Sequence, residues 1–211
     1  MSAMDATAVQ AVYSRWARVY DWVFGLLFGD ARCRAFQRME LKRGNRAIEV
    51  GVGTGLSLTS LPEGCHLVGV DFSRPMLERA LIRWRADSVD RTGVLVEGDG
   101  ACLPFPDKTF DAALAAFVVS AAPDAVALLE DMHRVCRPGA RMVVVNHFSP
   151  NKPRLARLWS SVSTVTSRLL GFHAEFQLEP LFQKAGIEID RIERATFCGG
   201  WRVVTVIRRE S

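Results

Sequence analysis

Short apolar runs alternate with helix-like patterns along the chain from residue 46 onward. This alternation predicts strands joined by helices, which is typical of a parallel sheet covered by helices on both faces. The predicted strands are RAIEV (46–50), HLVGV (66–70), VLVEG (94–98), DAALAAF (111–117), ARMVVVN (140–146), IEIDRIER (187–194) and WRVVTVIRR (201–209).

The helices predicted between these strands carry start and stop signals. The segment SRPMLERALIRW (73–84) begins with Ser73 as an N-cap and has a proline in its first turn. The segment 124–139 ends in Pro138 and Gly139, which are typical of a helix end. Three further amphipathic or apolar helices are predicted at 8–28, 152–170 and 176–185.

The length of 211 residues fits one α/β domain with a sizeable core and is short for two domains. We divide this single domain into a helical segment (1–45), a central sheet region (46–150) and a last part with a helix and closing strands (151–211). The apolar fraction of 49% is ordinary for a globular protein and does not favour disorder.

The net charge of +4 is concentrated at the start of the chain. Residues 1–46 contain eight basic and four acidic residues, so this segment alone accounts for the excess. A basic segment attracts anionic surfaces, either membrane or nucleic acid, although an ordinary solvated face has the same composition.

The five cysteines are scattered and form no C-x-x-C motif, which is typical of a reduced cytosolic protein. We expect no metal site, because His133 and Cys136 share a helical face without a second pair of ligands. No signal peptide is indicated, and the longest apolar run (112–122) is about half the ~20 residues that span a bilayer.

The stretch EVGVGTGLSL (49–58) predicts a glycine-rich turn after the first strand. A phosphate-binding P-loop would need a lysine after the last glycine, where Leu56 stands. A dinucleotide fingerprint would need glycine or alanine at Leu56 or Leu58. Neither kind of phosphate site therefore matches this turn.

Three carboxylates surround the turn in the predicted topology. Glu49 precedes the glycines, Asp71 ends the second strand and Asp99 follows the third. Together they would repel a pyrophosphate and suit a cationic nucleoside such as S-adenosylmethionine (SAM). Taken one at a time, these features also fit a tight turn, a helix cap and a surface turn.

The stretches IEVGVGTG, VGVDFSRPML, EGDGACLPFPDKTFD and HRVCRPGARMVVVNHF resemble the class I SAM-dependent methyltransferases. That resemblance implies a Rossmann-like, mostly parallel seven-stranded sheet with an antiparallel last strand, and an N-terminal helix as a lid. It implies SAM as cofactor, S-adenosylhomocysteine as product and no metal. The implied cofactor-binding residues are Glu49, Gly51, Gly53 and Gly55 at the methionine end, Asp71 at the ribose, Asp99, Gly100 and Ala101 at the adenine, and Phe117 beside the methyl group. Thr54, Phe72 and Met76 are also expected to bind the cofactor.

Within this class, YSRWARVYDWVFG, EVGVGTG and VVVNHFS resemble the bacterial phospholipid N-methyltransferases. This resemblance implies methylation of the amine of phosphatidylethanolamine and its partly methylated forms. The ubiquinone and menaquinone C-methyltransferases are the main alternative, but they typically have Asp at the positions of Glu49 and Leu56. A non-catalytic SAM-binding regulatory module is a further alternative.

An ammonium acceptor must lose a proton before it can attack a methyl group, because a protonated nitrogen has no lone pair. His147, directly after the fifth strand, is the first candidate for the general base. Tyr20 is the second candidate, and it could instead orient the amine or close over the cofactor. The alternative interpretation is that His147 is only a polar residue at the end of a strand.

A lipid acceptor also requires contact with a membrane. The predicted helices 8–28 and 152–170 combine apolar stripes with basic residues, as interfacial helices do. We expect Tyr13, Trp16, Trp159 and Arg168 to contact substrate or membrane, and the protein to be cytoplasmic and peripheral on the inner face of an anionic membrane. Helices that simply cover a sheet also need an apolar stripe.

Nucleic acid is not expected as a partner. Methylases that act on base amines carry an Asn/Asp-Pro-Pro-aromatic turn after the fourth strand, where this chain has FVVSAAPD. The sequence does not determine the oligomeric state.

Overall fold

The computed structural model describes residues 31–86, 92–148, 177–195 and 201–210. The predicted helices 8–28 and 152–170 lie outside these residues. The same holds for five predicted site residues, namely Tyr13, Trp16, Tyr20, Trp159 and Arg168.

The described residues form a seven-stranded sheet in the order β3-β2-β1-β4-β5-β7-β6. Neighbours from β3 to β5 pair in parallel, while β7 is antiparallel to both β5 and β6. The mostly parallel sheet with an antiparallel last strand is therefore confirmed. The strands are β1 (Arg46–Val50), β2 (His66–Asp71), β3 (Thr92–Glu97), β4 (Phe110–Ala116), β5 (Cys136–His147), β6 (Arg191–Arg194) and β7 (Trp201–Ile207).

Helices cover both faces of this sheet, as the alternating pattern predicted. One apolar cluster joins the sheet to α3 and α4 through residues such as Leu129 and Phe182. A second cluster joins the opposite face to α1 and α2 through Phe36 and Ala80. The helices are α1 (residues 31–39), α2 (Arg74–Ala86), α3 (Ala125–Val135) and α4 (Leu178–Lys184).

The start of α2 differs from the prediction in its capping. Ser73 precedes the helix as expected, and its carbonyl accepts the amides of Met76 and Leu77. Its buried hydroxyl, however, forms no hydrogen bond within the described residues. The amide of Ser73 instead donates to Asp71, 2.9 Å away, so the aspartate organises this turn.

The helix predicted at 124–139 is shorter than expected. Asp124 caps α3 by accepting the amides of Val126 and Ala127, but the helix ends at Val135, before the predicted stop signal. Cys136 is already extended and pairs with Phe110, so Pro138 and Gly139 lie in an irregular first part of β5. Pairing with the sheet has overridden the local helical pattern.

The closing strand predicted at 187–194 is also shorter, because β6 begins only at Arg191. No helix in the described part of the chain is long and apolar enough to cross a membrane.

Candidate functional site

A cleft opens at the carboxyl ends of the central strands. The strand order reverses between β1 and β4, and ligands of open α/β sheets bind at such a switch point. The cleft contains two adjoining pockets of about 500 and 670 Å³, and these volumes include the solvent at their openings. Residues that line both pockets are Gly51, Asp71, Phe72, Val118 and Ala121.

The floor of the cleft is the glycine turn that follows β1. Gly51 has φ +73°, and a Cβ atom at this position would lie 2.5 Å from a methyl group of Val118. Gly55 has φ +77°, and a Cβ atom there would meet Leu58 at 2.5 Å and Ala80 of α2 at 3.0 Å. Both positions therefore require glycine, since they combine left-handed backbone with close approach.

Asp71 lies between the two pockets, at the position expected to bind the ribose. Its Oδ2 accepts the amide of Gly53 at 2.8 Å, and its Oδ1 accepts the amide of Ser73 at 2.9 Å. Burial raises the pKa of this carboxyl, while the two backbone hydrogen bonds act in the opposite direction. Each carboxylate oxygen has further acceptor capacity for ribose hydroxyls.

The second pocket is lined by two of the residues predicted at the adenine end, Asp99 and Gly100. Asp99 is exposed, and its Oδ1 accepts the amide of Ala101 at 2.9 Å, which closes the short turn around Gly100. Asp99 and Gly100 line this pocket together with the apolar residues Pro123 and Leu128. A carboxylate beside an apolar slot suits a flat base with an exocyclic amine.

The first pocket has Thr54, Phe72, Met76 and Phe117 in its walls, together with Gly51 and Gly53 of the turn. The predicted cofactor residues Glu49, Gly55 and Ala101 line neither pocket. Phe117 has φ +64°, an unusual backbone conformation for an aromatic residue. Its amide is held by the carbonyl of Val145 at 2.7 Å. Such strain is typical of functional sites, where surrounding contacts enforce it.

Glu49 lies beneath the turn and is only 1% exposed. The hydroxyl oxygen of Ser57 is 2.6 and 2.7 Å from its two carboxyl oxygens. Burial is the main cause that raises the pKa of Glu49 to about 7. Ser57 and the nearby guanidinium of Arg32 lower it, and the charge of Asp71 raises it.

His147, the predicted general base, is connected to the cleft through other rings. It ends β5 opposite Trp201 of β7, and the two ring centroids are 5.4 Å apart. Trp201 in turn contacts Phe117 at 5.2 Å, edge to face. Burial and the charge of Arg202 lower the pKa of His147, which favours the neutral imidazole that a base needs.

Three residues at the site were not predicted from the sequence, namely Arg32, Ser57 and Trp201. Arg32 of α1 is 7% exposed, with its guanidinium carbon 4.8 Å from the centroid of the Phe117 ring. Trp201 opens a strand whose alternation was recognised, but only the register with β5 places it beside His147. Ser57 belongs to the quoted glycine stretch, yet its partner depends on how the turn folds.

The described residues fit an adenosine-type cofactor with a positive charge. They offer carboxylate acceptors at the ribose and adenine positions and a glycine turn that permits close approach. Among them there is no group of three His, Cys, Asp or Glu side chains that could hold a metal ion.

Sequence comparison gives similarities to methyltransferases. A family profile described as a methyltransferase domain matches residues 48–144. The phosphatidylethanolamine N-methyltransferase of Cereibacter sphaeroides is 37% identical over 88% of this chain and 90% of that protein. The demethylmenaquinone methyltransferase of Roseiflexus sp. (strain RS-1) is 33% identical over 95% of this chain and 87% of that protein.

Structure comparison shows the same fold at low identity. A chain in the complex between the Haloferax volcanii Trm112 methyltransferase activator and the putative methyltransferase superposes with a TM-score of 0.72, 18% identity and coverage of 99% of this chain and 100% of that one. A SAM-dependent methyltransferase from Aquifex aeolicus gives a TM-score of 0.69 at 18% identity, covering 92% of this chain and 97% of that one.

Proposed function

The chain belongs to the SAM-dependent methyltransferases, and from that premise we propose that it methylates the amine head group of phosphatidylethanolamine and its partly methylated forms. The observation that carries this choice of acceptor is the 37% identity, over 88% of the chain, to a phosphatidylethanolamine N-methyltransferase. The presence of Glu49 and Leu56, where quinone C-methyltransferases typically have aspartates, points the same way.

Four residues in and beside the cleft take part in the proposed reaction. Bound SAM supplies a methyl group that is activated by its sulfonium. Asp71 and Asp99 bind and orient the nucleoside, and the Phe117 ring, which packs edge to face against Trp201, forms an apolar wall that excludes water from the transfer.

His147 has the chemistry of the base in this proposal. The imidazole would take a proton from the ammonium, and this would free the nitrogen lone pair of the acceptor for methylation. The lowered pKa of His147 keeps the imidazole neutral, so it can accept that proton. Because Trp201 lies between His147 and Phe117, we place the acceptor amine along this row of rings.

A lipid acceptor requires a membrane-facing surface, and we propose peripheral binding to an anionic membrane on its cytoplasmic side. The support for this step is the sequence: the excess charge of residues 1–46 and the basic amphipathic pattern at 152–170.

C-methylation of a quinone precursor is the second candidate function. It is favoured by the similarity to demethylmenaquinone methyltransferases, one of which is 33% identical over 95% of the chain. Such an acceptor would use the same cofactor site and the same apolar wall.

The deciding experiment incubates the purified protein with labelled SAM and either phosphatidylethanolamine vesicles or demethylmenaquinone. We expect label in the mono-, di- and trimethylated lipids, and none with Asp71→Ala as the cofactor-binding control. Label in the quinone alone would replace this proposal by the second candidate. Cofactor binding without turnover on any acceptor would favour the regulatory module.

A further inference from the structure

The loop 98–109, which joins β3 to β4, carries Asp99 into the pocket predicted to hold adenine. Backbone hydrogen bonds inside the loop are short-range: the amide of Cys102 donates to the carbonyl of Asp99, and the amide of Phe105 donates to the carbonyl of Leu103. Side chains of α3 provide longer-range contacts to the middle of this loop.

Arg134 of α3 contacts the loop with its guanidinium. The group donates to the carbonyls of Leu103 and Phe105, at 3.0 and 2.8 Å, and to the carboxylate of Asp107 at 2.7 Å. It also donates to both carboxylate oxygens of Asp131, at 2.6 and 3.1 Å. A guanidinium has five N–H donors in a rigid fork, and these five hydrogen bonds use all of them.

Asp131 completes the contacts with Leu103. Its Oδ2 accepts the amide of Leu103, so both backbone groups of that residue are bound by the Asp131–Arg134 pair. The Leu103 side chain is buried in the apolar core beside α3. Burial raises the pKa of Asp131, but the hydrogen bonds from Arg134 and Leu103 outweigh this effect and hold it below its ordinary value, so the pair is charged at neutral pH.

The same helix also forms a wall of the pocket. Leu128 lies one helical turn before Asp131 and lines the second pocket together with Asp99 and Gly100. A Cβ atom on Gly100 would lie 3.2 Å from a methyl group of Leu128, so helix and turn are closely packed. Helix α3 therefore supplies the apolar wall directly, and through Asp131 and Arg134 it holds the loop that carries the carboxylate.

We propose that Asp131 and Arg134 are positioning residues that determine which base the cofactor pocket accepts, because they hold the loop of Asp99 against the wall formed by Leu128. The carboxylate of Asp99 accepts a hydrogen bond from the exocyclic amine of adenine, whereas hypoxanthine has an oxygen there, which is also an acceptor. Hydrogen bonds weaken steeply outside a narrow range of distance and angle, so a loosened loop selects less well. This inference rests on the cofactor of the proposed function and is independent of its acceptor.

The experiment measures the ratio of the dissociation constants of S-inosylhomocysteine and S-adenosylhomocysteine by calorimetric titration. The first ligand has hypoxanthine where the second has adenine, and the rest of the molecule is the same. A hydrogen bond to a charged group corresponds to roughly a tenfold to hundredfold difference in affinity. The parent protein should therefore favour the adenine ligand by at least about tenfold.

Two variants loosen the loop in different ways. Arg134→Lys keeps the positive charge, but a single nitrogen cannot reach Asp131 and both loop carbonyls as the guanidinium fork does. We expect this variant to lower the ratio by about three- to tenfold, mainly through weaker binding of S-adenosylhomocysteine. Asp131→Asn keeps the shape and removes the charge, and it should lower the ratio in the same direction.

Arg137→Lys is the matched control. Arg137 also donates to a carboxylate, that of Asp111 at 2.7 Å, and to a carbonyl of the same loop, that of Lys108 at 3.2 Å. These three residues line neither pocket. We therefore expect this variant to keep the ratio of the parent protein, whatever its effect on thermal unfolding.

A double variant tests whether Arg134 acts through Asp99. Asp99→Ala alone should bring the ratio close to one, and adding Arg134→Lys should then change it no further. A purely structural role of Arg134 predicts a different result, in which both ligands bind less tightly by the same factor and the ratio is that of the parent protein.

An unchanged ratio in folded Arg134→Lys would overturn the inference, and if that variant does not fold, an unchanged ratio in Asp131→Asn does so. Equal binding of the two ligands by the parent protein would also contradict it and leave the cofactor class intact. Failure of the parent protein to bind S-adenosylhomocysteine would overturn both the cofactor assignment and the inference. None of these results depends on methyl transfer to a lipid, which tests the acceptor separately.

Discussion

At the scale of single residues, Asp71 has a structural role in addition to the predicted binding role. Its two oxygens hold the amides of Gly53 and Ser73, so it fixes both the glycine turn and the start of α2. It also lines both pockets of the cleft. The sequence offered ribose binding and capping of the next helix as alternatives for Asp71, and the structure shows its contacts with the start of the helix and with the glycine turn.

We expect Asp71→Ala to abolish measurable SAM binding and Asp71→Asn to weaken it. Hydrogen bonds to a charged group contribute about 1.5–3 kcal/mol each, so loss of even one ribose contact corresponds to roughly a tenfold to hundredfold loss of affinity. Calorimetric titration measures the change, and thermal unfolding shows whether the turn has survived. An unchanged affinity in either variant would contradict the ribose assignment.

His147 should behave differently from Asp71, because it packs against Trp201 and lines neither pocket of the cleft in the part of the chain that the structure describes. We expect His147→Gln to retain SAM affinity and to lower kcat on an amine acceptor by about 10²- to 10⁴-fold. Since its pKa is lowered, the acid limb of kcat should lie below the ordinary histidine range and disappear in the variant. Stopped-time assays across pH test this expectation, and a retained acid limb would contradict it.

Trp201→Phe is the companion variant for that experiment. It keeps an apolar ring between His147 and Phe117, so it should affect kcat less than His147→Gln.

At the scale of elements, the turn between β1 and the 3-10 helix decides how closely a ligand can approach the sheet. The 3-10 helix covers Leu58–Ser60, and its first residue packs against Gly55. Leu58 and Ala80 both lie close to Gly55, so the 3-10 helix and α2 pack against the turn. This packing occurs without the third glycine of a dinucleotide site.

Gly51→Ala should both destabilise the protein and impair cofactor binding. The left-handed backbone costs about 1–2 kcal/mol with a side chain, and the added Cβ atom would also lie 2.5 Å from Val118. Gly186→Ala is the matched control, because its φ is +66° and nothing lies within 4 Å of the added atom. Urea unfolding and SAM titration should show a larger loss for the first variant, and equal losses would contradict the role given to Val118.

At the scale of the whole molecule, buried carboxyls make stability depend on pH. The pKa of Glu49 is about 7 in the folded protein, against an ordinary value of 4.5. The favourable contribution of Glu49 to the free energy of unfolding is fully present below about pH 4.5 and is lost as pH rises through about 7. The raised pKa of Asp71 changes the stability in the same direction.

We therefore expect the cofactor-free protein to lose about 2–3 kcal/mol of stability between pH 5 and pH 8 through Glu49. Glu49→Gln should remove this part of the pH dependence. Urea unfolding of the parent and the variant at both pH values isolates it, because other titrating groups are common to both. Parallel pH profiles would show that Glu49 is charged throughout.

The proposed membrane surface is also a property of the whole molecule. Sedimentation with vesicles should require anionic lipid and weaken as salt is added, because basic residues near a charged surface are screened within about 10 Å at 0.1 M salt. Binding that ignores salt, or no binding, would assign the two predicted amphipathic helices to covering the sheet.

The sequence by itself determined the alternation of strands and helices and the positions of the glycines and carboxylates at the strand ends. Apolar runs and turn residues are local signals, so the seven strands appear within a few residues of their predicted bounds. The glycine and carboxylate positions follow strand ends, and parallel strands bring their carboxyl ends to one edge. Asp71, Asp99 and Phe117 therefore meet in the cleft as predicted.

Only the tertiary structure decided which side chains form hydrogen bonds and which rings are in contact. The row from Phe117 through Trp201 to His147 depends on the register between β5 and β7, which are separated by more than fifty residues. The same is true of the end of α3, where pairing of Cys136 with Phe110 replaced a helical pattern. The pKa of Glu49 depends on its burial and on the neighbouring Arg32, Ser57 and Asp71. Packing, rather than any local sequence signal, brings these three residues close to Glu49.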